Sequence, residues 1–542
     1  MPKKPSRAEQ MGQSLQSRRT FIAAGMAGVA GMATRAAWSQ TPKRGGTLRT
    51  IINPEPPSLV LGISPLIPTG TVGSKIYQSL LSYSFDLKPY PVLAKSWTAS
   101  SDGRVYTFTL QDKVTWHDGT PFSADDVIFS TTKMLPETNA RWRFILEQCE
   151  SIKALDPKTV QFTLKGPFSA FISSFVNSTC PIMPAHIYGA NTDYRNNPAN
   201  ATPIGTGPFK LKEWKKASFI HLVRYDGYWD PGKPYLDEVI YSVVPDSAQR
   251  VAAIETGRVD LVSNNDIEYF DVPRLRQQKN LTFTTKGTET RSLMSWIDVN
   301  LRLPKFQDKR FRKAMMHAID RQFIVDKLYF GLGKVANGPI ATTTRFHDEA
   351  AIVKYPYDPK KAIALLDEMG LKPDAKGIRE RVSILALPYG EVWTRQAELV
   401  KQLFGKVGIE VTIETTDAAG WARRNANWEF EMSFNFLGQF IHPAIGVARA
   451  YLSANRRKGV LASNVEGYSN PKVDELFERG ATAASDAEAQ KAYSEVQHII
   501  SDELPVLYLT ELAFPIFQSA VLHDAIVDGD GASNDFSRAW KS

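Results

Sequence analysis

PVLAKSWTASSDGRVYTFTLQDKVTWHDGTPFSADDVIFS, residues Pro91 to Ser130, reads as two strands followed by a helix. Ser101-Asp102-Gly103 is a turn signal. Beyond it Tyr106, Phe108 and Leu110 alternate with Val105, Thr107 and Thr109 at the strand period, which puts three large apolar side chains on one face. His117-Asp118-Gly119 makes the next turn. Ser123 then offers its hydroxyl to a helix N-terminus, and Asp126, three residues on, completes a capping box ahead of Val127, Ile128 and Phe129.

The same letters resemble the signature of family 5 bacterial solute-binding proteins, the extracytoplasmic receptors of peptide, opine and nickel ABC importers. That pattern runs roughly P-x-L-A-x-S-W, S-x-D-G, F-H-D-G-T-P-x-x-A-x-D-V, and nearly all of it is present, with Trp116 where the family often has Phe. The resemblance implies an α/β, two-lobed periplasmic-binding-protein fold with a hinge, the first lobe carrying an inserted subdomain. Its expected parts are residues 1–39 as signal peptide, 40–84 and 203–290 as lobe I, 85–202 as the insertion, 291–511 as lobe II and 512–542 as a C-terminal return to lobe I. The implied function is a periplasmic receptor that captures a peptide or peptide-like solute by hinge closure and delivers it to an ABC permease and its ATPase subunits. An opine, sugar, haem or metal-chelate ligand, or a sensor or chaperone role, is the alternative on the same scaffold.

Toward the N-terminus, Thr47 to Ile52 reads as a strand, followed by the Pro-rich Asn53 to Leu59. Ile67-Pro68-Thr69-Gly70 reads as a loop before a helix running to Leu81; in the family this loop faces the ligand cleft, which makes Thr69 and Gly70 candidates. Residues 1–39 hold Arg18-Arg19 in a twin-arginine-like pattern, a Gly- and Ala-rich apolar run from Ala23 to Thr34 too short to span a bilayer, and the small-x-small Ala37-Trp38-Ser39 before Gln40. They predict export by the twin-arginine route into the periplasm. The segment also supplies six cations against Glu9, +5 of the chain's formal +8, so the mature chain is near +3. With no basic run interleaved with aromatics, a nucleic-acid role has little support, and some 500 mature residues call for more than one core.

Toward the C-terminus, Pro203-Ile204-Gly205-Thr206-Gly207-Pro208-Phe209 matches the family's P-x-G-T-G-P-F; its glycines are read as giving backbone freedom and the motif as structural, since no Lys-Ser/Thr follows. A helix ending at Gly257 feeds a strand from Val259, and Asn264 and Asn265 follow at the strand's carboxyl end, a usual place for ligand contacts in α/β lobes. Met294 to Asn300 reads as a hinge-like strand. In peptide-binding relatives an Asp-Pro pair supplies a partner for the ligand's ammonium; here the run Phe434 to Pro443 puts His442 there, a poor partner for a cation, alongside Asn435 and Phe440. Arg395 matches a position where some relatives clamp a carboxylate, and Trp393 and Trp421 could supply apolar walls.

Cys149 and Cys180 either close a loop or stay as two thiols, since spacing fixes no geometry. The eight histidines are scattered and no GxSxG is present, so an enzyme, a cofactor and a metal site all lack a motif. Asp528 to Gly531 reads as a surface loop, and a monomer is expected.

Overall fold

Two mixed β-sheets and the connections between them organise the chain. The structure, a computed structural model, describes residues 41–64 and 66–542, with residue 265 described by its backbone alone. The expected signal peptide and its cleavage point before Gln40 lie outside the described residues. Lys43–Ser542 forms one unit.

The first sheet has seven strands, in the spatial order Leu281–Thr284, Ile516–Ser519, Leu261–Val262, Thr47–Ile52, Glu238–Val243, Phe219–Arg224 and Phe209–Lys215. Thr47–Ile52 lies parallel to both neighbours, with Thr47 opposite Glu238 and Thr50 opposite Leu261. The second sheet has six, in the order Lys334–Val335, Val506–Glu511, Leu293–Val299, Met432–Gly438, Glu380–Leu385 and Ile409–Glu414. Each sheet is the floor of a separate apolar core. The chain therefore crosses between the two cores at residues 285–292 and again at 512–515. Leu293–Val299 is buried along its whole length in the middle of the second sheet, a core strand; the hinge belongs to the crossings and not to the strand.

Pro91 to Ser130 builds part of a four-stranded antiparallel sheet, Ala94–Ala99, Val105–Leu110, Thr159–Leu164 and Cys149–Asp156. Tyr106, Phe108 and Leu110 are buried on its inner face with Phe162, Phe171 and Phe175, as their alternation requires. The capping box forms: Asp126 Oδ2 accepts from Ser123 N at 3.0 Å and from Trp116 Nε1 at 3.2 Å, and its Oδ1 accepts from Ala185 N at 2.9 Å. One carboxylate thus pins a helix start, a tryptophan and a distant turn.

The His117 turn and the Pro203 to Phe209 stretch hold each other. His117 N donates to Gly205 O at 2.9 Å, its Nε2 meets Gly207 O at 2.9 Å, and its Nδ1 accepts from Gly205 N at 3.3 Å. The glycines are needed for close approach and not for unusual torsions, because neither has positive φ. A methyl at Gly205 would fall 1.8 Å from Ile76 O, and one at Gly207 2.4 Å from Lys75 O.

Two further expectations change, and one left open is decided. Ile67–Gly73 is itself the helix, and it stops at Gly73, well short of Leu81; two glycines, two threonines and a Pro give it little propensity to continue. Asp528 and Gly531 are buried, not on the surface, because the C-terminal segment is drawn inward by Lys75, whose Nζ donates to Ala532 O and Asn534 O, both at 2.6 Å. Cys149 and Cys180 are both free thiols.

Candidate ligand cleft

A cavity of about 250 Å³ lies where the two cores face each other. One wall comes from the first-sheet side: Leu66 and Ile67 at the start of the short helix, Arg141 and Ser178 from the inserted subdomain, and Arg291 on the crossing 285–292. The other comes from the second core, with Tyr389, Trp421, Asn435, Phe436 and Phe440. A larger cavity of about 510 Å³ takes all its walls from residues 78–92, 177, 228–235 and 527–538, on one side of the crossings. Relative movement of the two cores reshapes the first and leaves the second alone, which makes the first the candidate site.

Its second-core wall is fixed from behind. Trp421 Nε1 donates to Ser433 Oγ at 3.2 Å. Asn435 is held at both ends: its Nδ2 donates to Asp298 Oδ2 at 2.9 Å and its Oδ1 accepts from Phe436 N at 2.8 Å. Asp298 also accepts from Asn425 Nδ2 at 2.9 Å and Trp296 Nε1 at 2.6 Å. Beside it Glu466 is pushed well above the carboxylate range by burial and by the charge of Asp298, and burial raises Asp298 as well, its hydrogen bonds opposing. Trp393 stands one layer back, stacked on Phe436 at 5.6 Å between ring centroids.

The opposite wall is cationic, carrying Arg141 and Arg291, while Arg449, on the second-core side, stands outside the lining. Asn139 caps the helix Ala140–Glu147, which sets Arg141 in its first turn. Arg141 lies 4.3 Å from the centroid of the Phe440 ring, and Arg449 lies 5.6 Å from the same ring. Phe440 reaches between them from a left-handed backbone (φ 54°), its N donating to Arg291 O at 3.0 Å. Arg291 in turn passes close over Gly70, where a methyl would lie 2.8 Å from Nη2. Burial, and then the neighbouring Arg449 and Arg291, lower the Arg141 pKa to about 9; burial lowers Arg449 to about 10 and also lowers Arg291, with Asp530 opposing. Each of the three keeps part of its surface open to solvent. Among the described residues, no Asp or Glu lines the cavity and no carboxylate pairs with any of the three.

The sequence-predicted residues thus divide. Trp421, Asn435 and Phe440 line the cavity, and Gly70 supports it through Arg291. Thr69 is buried behind, its hydroxyl donating to Ser58 O at 2.9 Å. Asn264 sits in a short turn away from the cavity, its Nδ2 donating to Ser263 Oγ at 3.3 Å, and the same turn carries Asn265. Arg395 is exposed and paired with Glu391 one helical turn earlier, at 2.8 Å, so it clamps nothing in the cleft. His442 is fully buried and points away: Nδ1 accepts from Ala444 N at 3.2 Å as a helix cap, and Nε2 meets Ser169 Oγ at 3.2 Å. Arg141, Arg291 and Tyr389 escaped sequence reasoning, because nothing local marks residues brought together from about a hundred positions apart or more.

Two facing α/β cores joined by two crossings, an insertion on the first and a cavity between them define a two-lobed periplasmic-binding-protein fold with a hinge. The chain belongs to the family described as bacterial extracellular solute-binding proteins, family 5, middle region, which matches residues 88–458. Among curated proteins it is similar to the glutathione-binding protein GsiB of Escherichia coli K12, 28% identical over 442 residues, covering 80% of this chain and 83% of that protein. Among solved structures it is similar to the oligopeptide-binding protein AppA of Bacillus subtilis in complex with a nonapeptide, at TM-score 0.79 and 25% identity, covering 93% of this chain and all of that one. NikA of Brucella suis in complex with Fe(III)-EDTA shares the fold at TM-score 0.80 and 23% identity, covering 92% of this chain and all of that one.

Proposed function

We propose that this chain is the periplasmic receptor of an ABC importer, closing its lobes over a small peptide or peptide-like solute and presenting the closed form to a membrane permease with separate ATPase subunits. The observation that carries this is the cavity walled from both sides of the crossings. A ligand contacting both walls stabilises the closed form alone and so shifts the population toward it. Closure also joins an apolar contact in which Phe440, Ile441, Ala444 and Ile445 pack with the insertion's own core. The volume, below the usual ~300–1,000 Å³ of small-molecule pockets, suits a short ligand better than a nonapeptide.

In this reading lobe I comprises residues 40–84 and 203–290 with 85–202 inserted, lobe II 291–511, and 512–542 the return. Trp421, Asn435 and Phe440 contact ligand, the protein works as a monomer without a reaction of its own, and residues 1–39 direct twin-arginine export. Glutathione, bound by the GsiB relatives as their name states, is a ligand of the right size. Native mass spectrometry of the chain purified from its own periplasm tests the reading. A retained small solute, lost on denaturation and restored on refolding with it, is the expected result; a chain that neither retains nor regains any small molecule from that compartment contradicts it.

A further inference from the structure

Buried arginines elsewhere in this protein are consumed by backbone carbonyls. Arg312 donates to the carbonyls of Phe306, Gln307, Glu503 and Leu504, and Arg250 to those of Val244, Pro245 and Asp266. These are structural ties that occupy most of each fork: Nε, Nη1 and Nη2 of Arg312, and Nε and Nη1 of Arg250. Arg141 and Arg291 differ. Arg141 donates once, from Nη2 to Ser178 O at 2.7 Å, and its buried Nε has no partner. Arg291 makes one long contact, Nη2 to Ser533 Oγ at 3.4 Å. Arg449 is intermediate, tied to Gly446 O at 3.1 Å and Gly438 O at 3.2 Å, so it adds charge more than free donors. Five N–H donors in a planar fork, mostly unused and facing a cavity that no carboxylate lines, match an incoming carboxylate bidentately.

The opposite end of the cavity offers no carboxylate to pair with an ammonium. Its one amide side chain, Asn435, is already engaged at both ends, Trp421 Nε1 is tied to Ser433, and His442, where an ammonium partner was expected, is a buried cap. What that end does offer is aromatic: Trp421, Tyr389 and Phe436.

We propose that the solute taken by this cleft is an organic anion with at least two carboxylates, one received by Arg141 and the other by Arg291, while its middle lies on the aromatic wall. The inference rests on the receptor reading and narrows it: a free ammonium is tolerated in solvent and not recognised, so a neutral or cationic peptide is a poor ligand. An acidic peptide and a non-peptide organic acid share this chemistry.

Titration calorimetry on the exported chain separates the cases, using N-acetyl-aspartyl-glutamate, glutathione, citrate, Ala-Ala and Ala-Ala amide. The expected order places at least one acidic probe tenfold or more above Ala-Ala, with the amide weakest and the acidic binding weakened by salt. R141Q and R291Q each lose tenfold or more on that probe, while R141K, which keeps the charge without the fork, recovers part of the loss. Citrate equal to the acidic peptides points to a non-peptide source, and acidic peptides alone to a peptide one; both support the clamp. Ala-Ala or its amide binding as tightly as the acids, unchanged affinity in both arginine variants, or silence of every acidic probe at millimolar concentration overturns it. In the first of these the receptor reading survives; only a chain that regains no solute from its own periplasm removes both.

Discussion

His117 shows how one side chain serves the fold. Its ring is enclosed against the Gly205–Gly207 backbone, and burial lowers its pKa to about 4, the hydrogen bond to Gly207 O opposing in part. Unfolded, it titrates near 6.5. The native state therefore binds fewer protons than the unfolded chain between those values, so the stability it supports is complete above about pH 6.5 and is lost as pH falls toward 4. His442 adds to the same trend, with a pKa brought to about 3 by burial and then by Arg345. Chemical denaturation at pH 4.5 and 7.5 should show a smaller acid loss in His117→Gln than in the parent, since Gln keeps a donor for Gly207 O and does not titrate; an identical loss would remove His117 from the account. Gly205→Ala should destabilise by ~3 kcal/mol or more at any pH, read as a lower denaturation midpoint, because the new methyl meets backbone and not a flexible side chain.

Between elements, the insertion and the second core meet through Ile445, Ala444 and Ala481, with Ser169 N donating to Ala481 O at 2.9 Å. An aspartate at Ile445 would be buried in the closed form and hydrated in the open one. Ile445→Asp should therefore lower ligand affinity about tenfold or more while leaving the far-ultraviolet dichroism and the Cys180 thiol's protection unchanged; full affinity would show that the contact does not belong to closure alone. Local elements such as this insertion's strands and the Ser123–Asp126 cap were legible in sequence because their causes lie within a few residues: a period of two, a turn, a hydroxyl three residues from an acid. The family motifs likewise pointed to a two-lobed fold. The cleft was less legible. Trp421, Asn435 and Phe440 follow the wall strand Met432–Gly438 and its neighbours, but the orientation of His442 is set by Ser169, 273 positions away, and Arg141 is an ordinary residue after a helix cap until the fold brings Phe440 to it. The inward course of 528–531 depended in the same way on Lys75, which no local pattern connects to it.

For the molecule as a whole, Arg141 and Arg291 in a cavity without a lining carboxylate and two crossings between cores describe a receptor that closes on its ligand. Small-angle scattering of the exported chain, stripped by unfolding and refolded, then titrated with the tightest probe, measures that movement directly. The radius of gyration should fall on saturation, and R141Q should need at least tenfold more ligand to reach it. A radius that stays constant while calorimetry reports a saturated site would contradict closure.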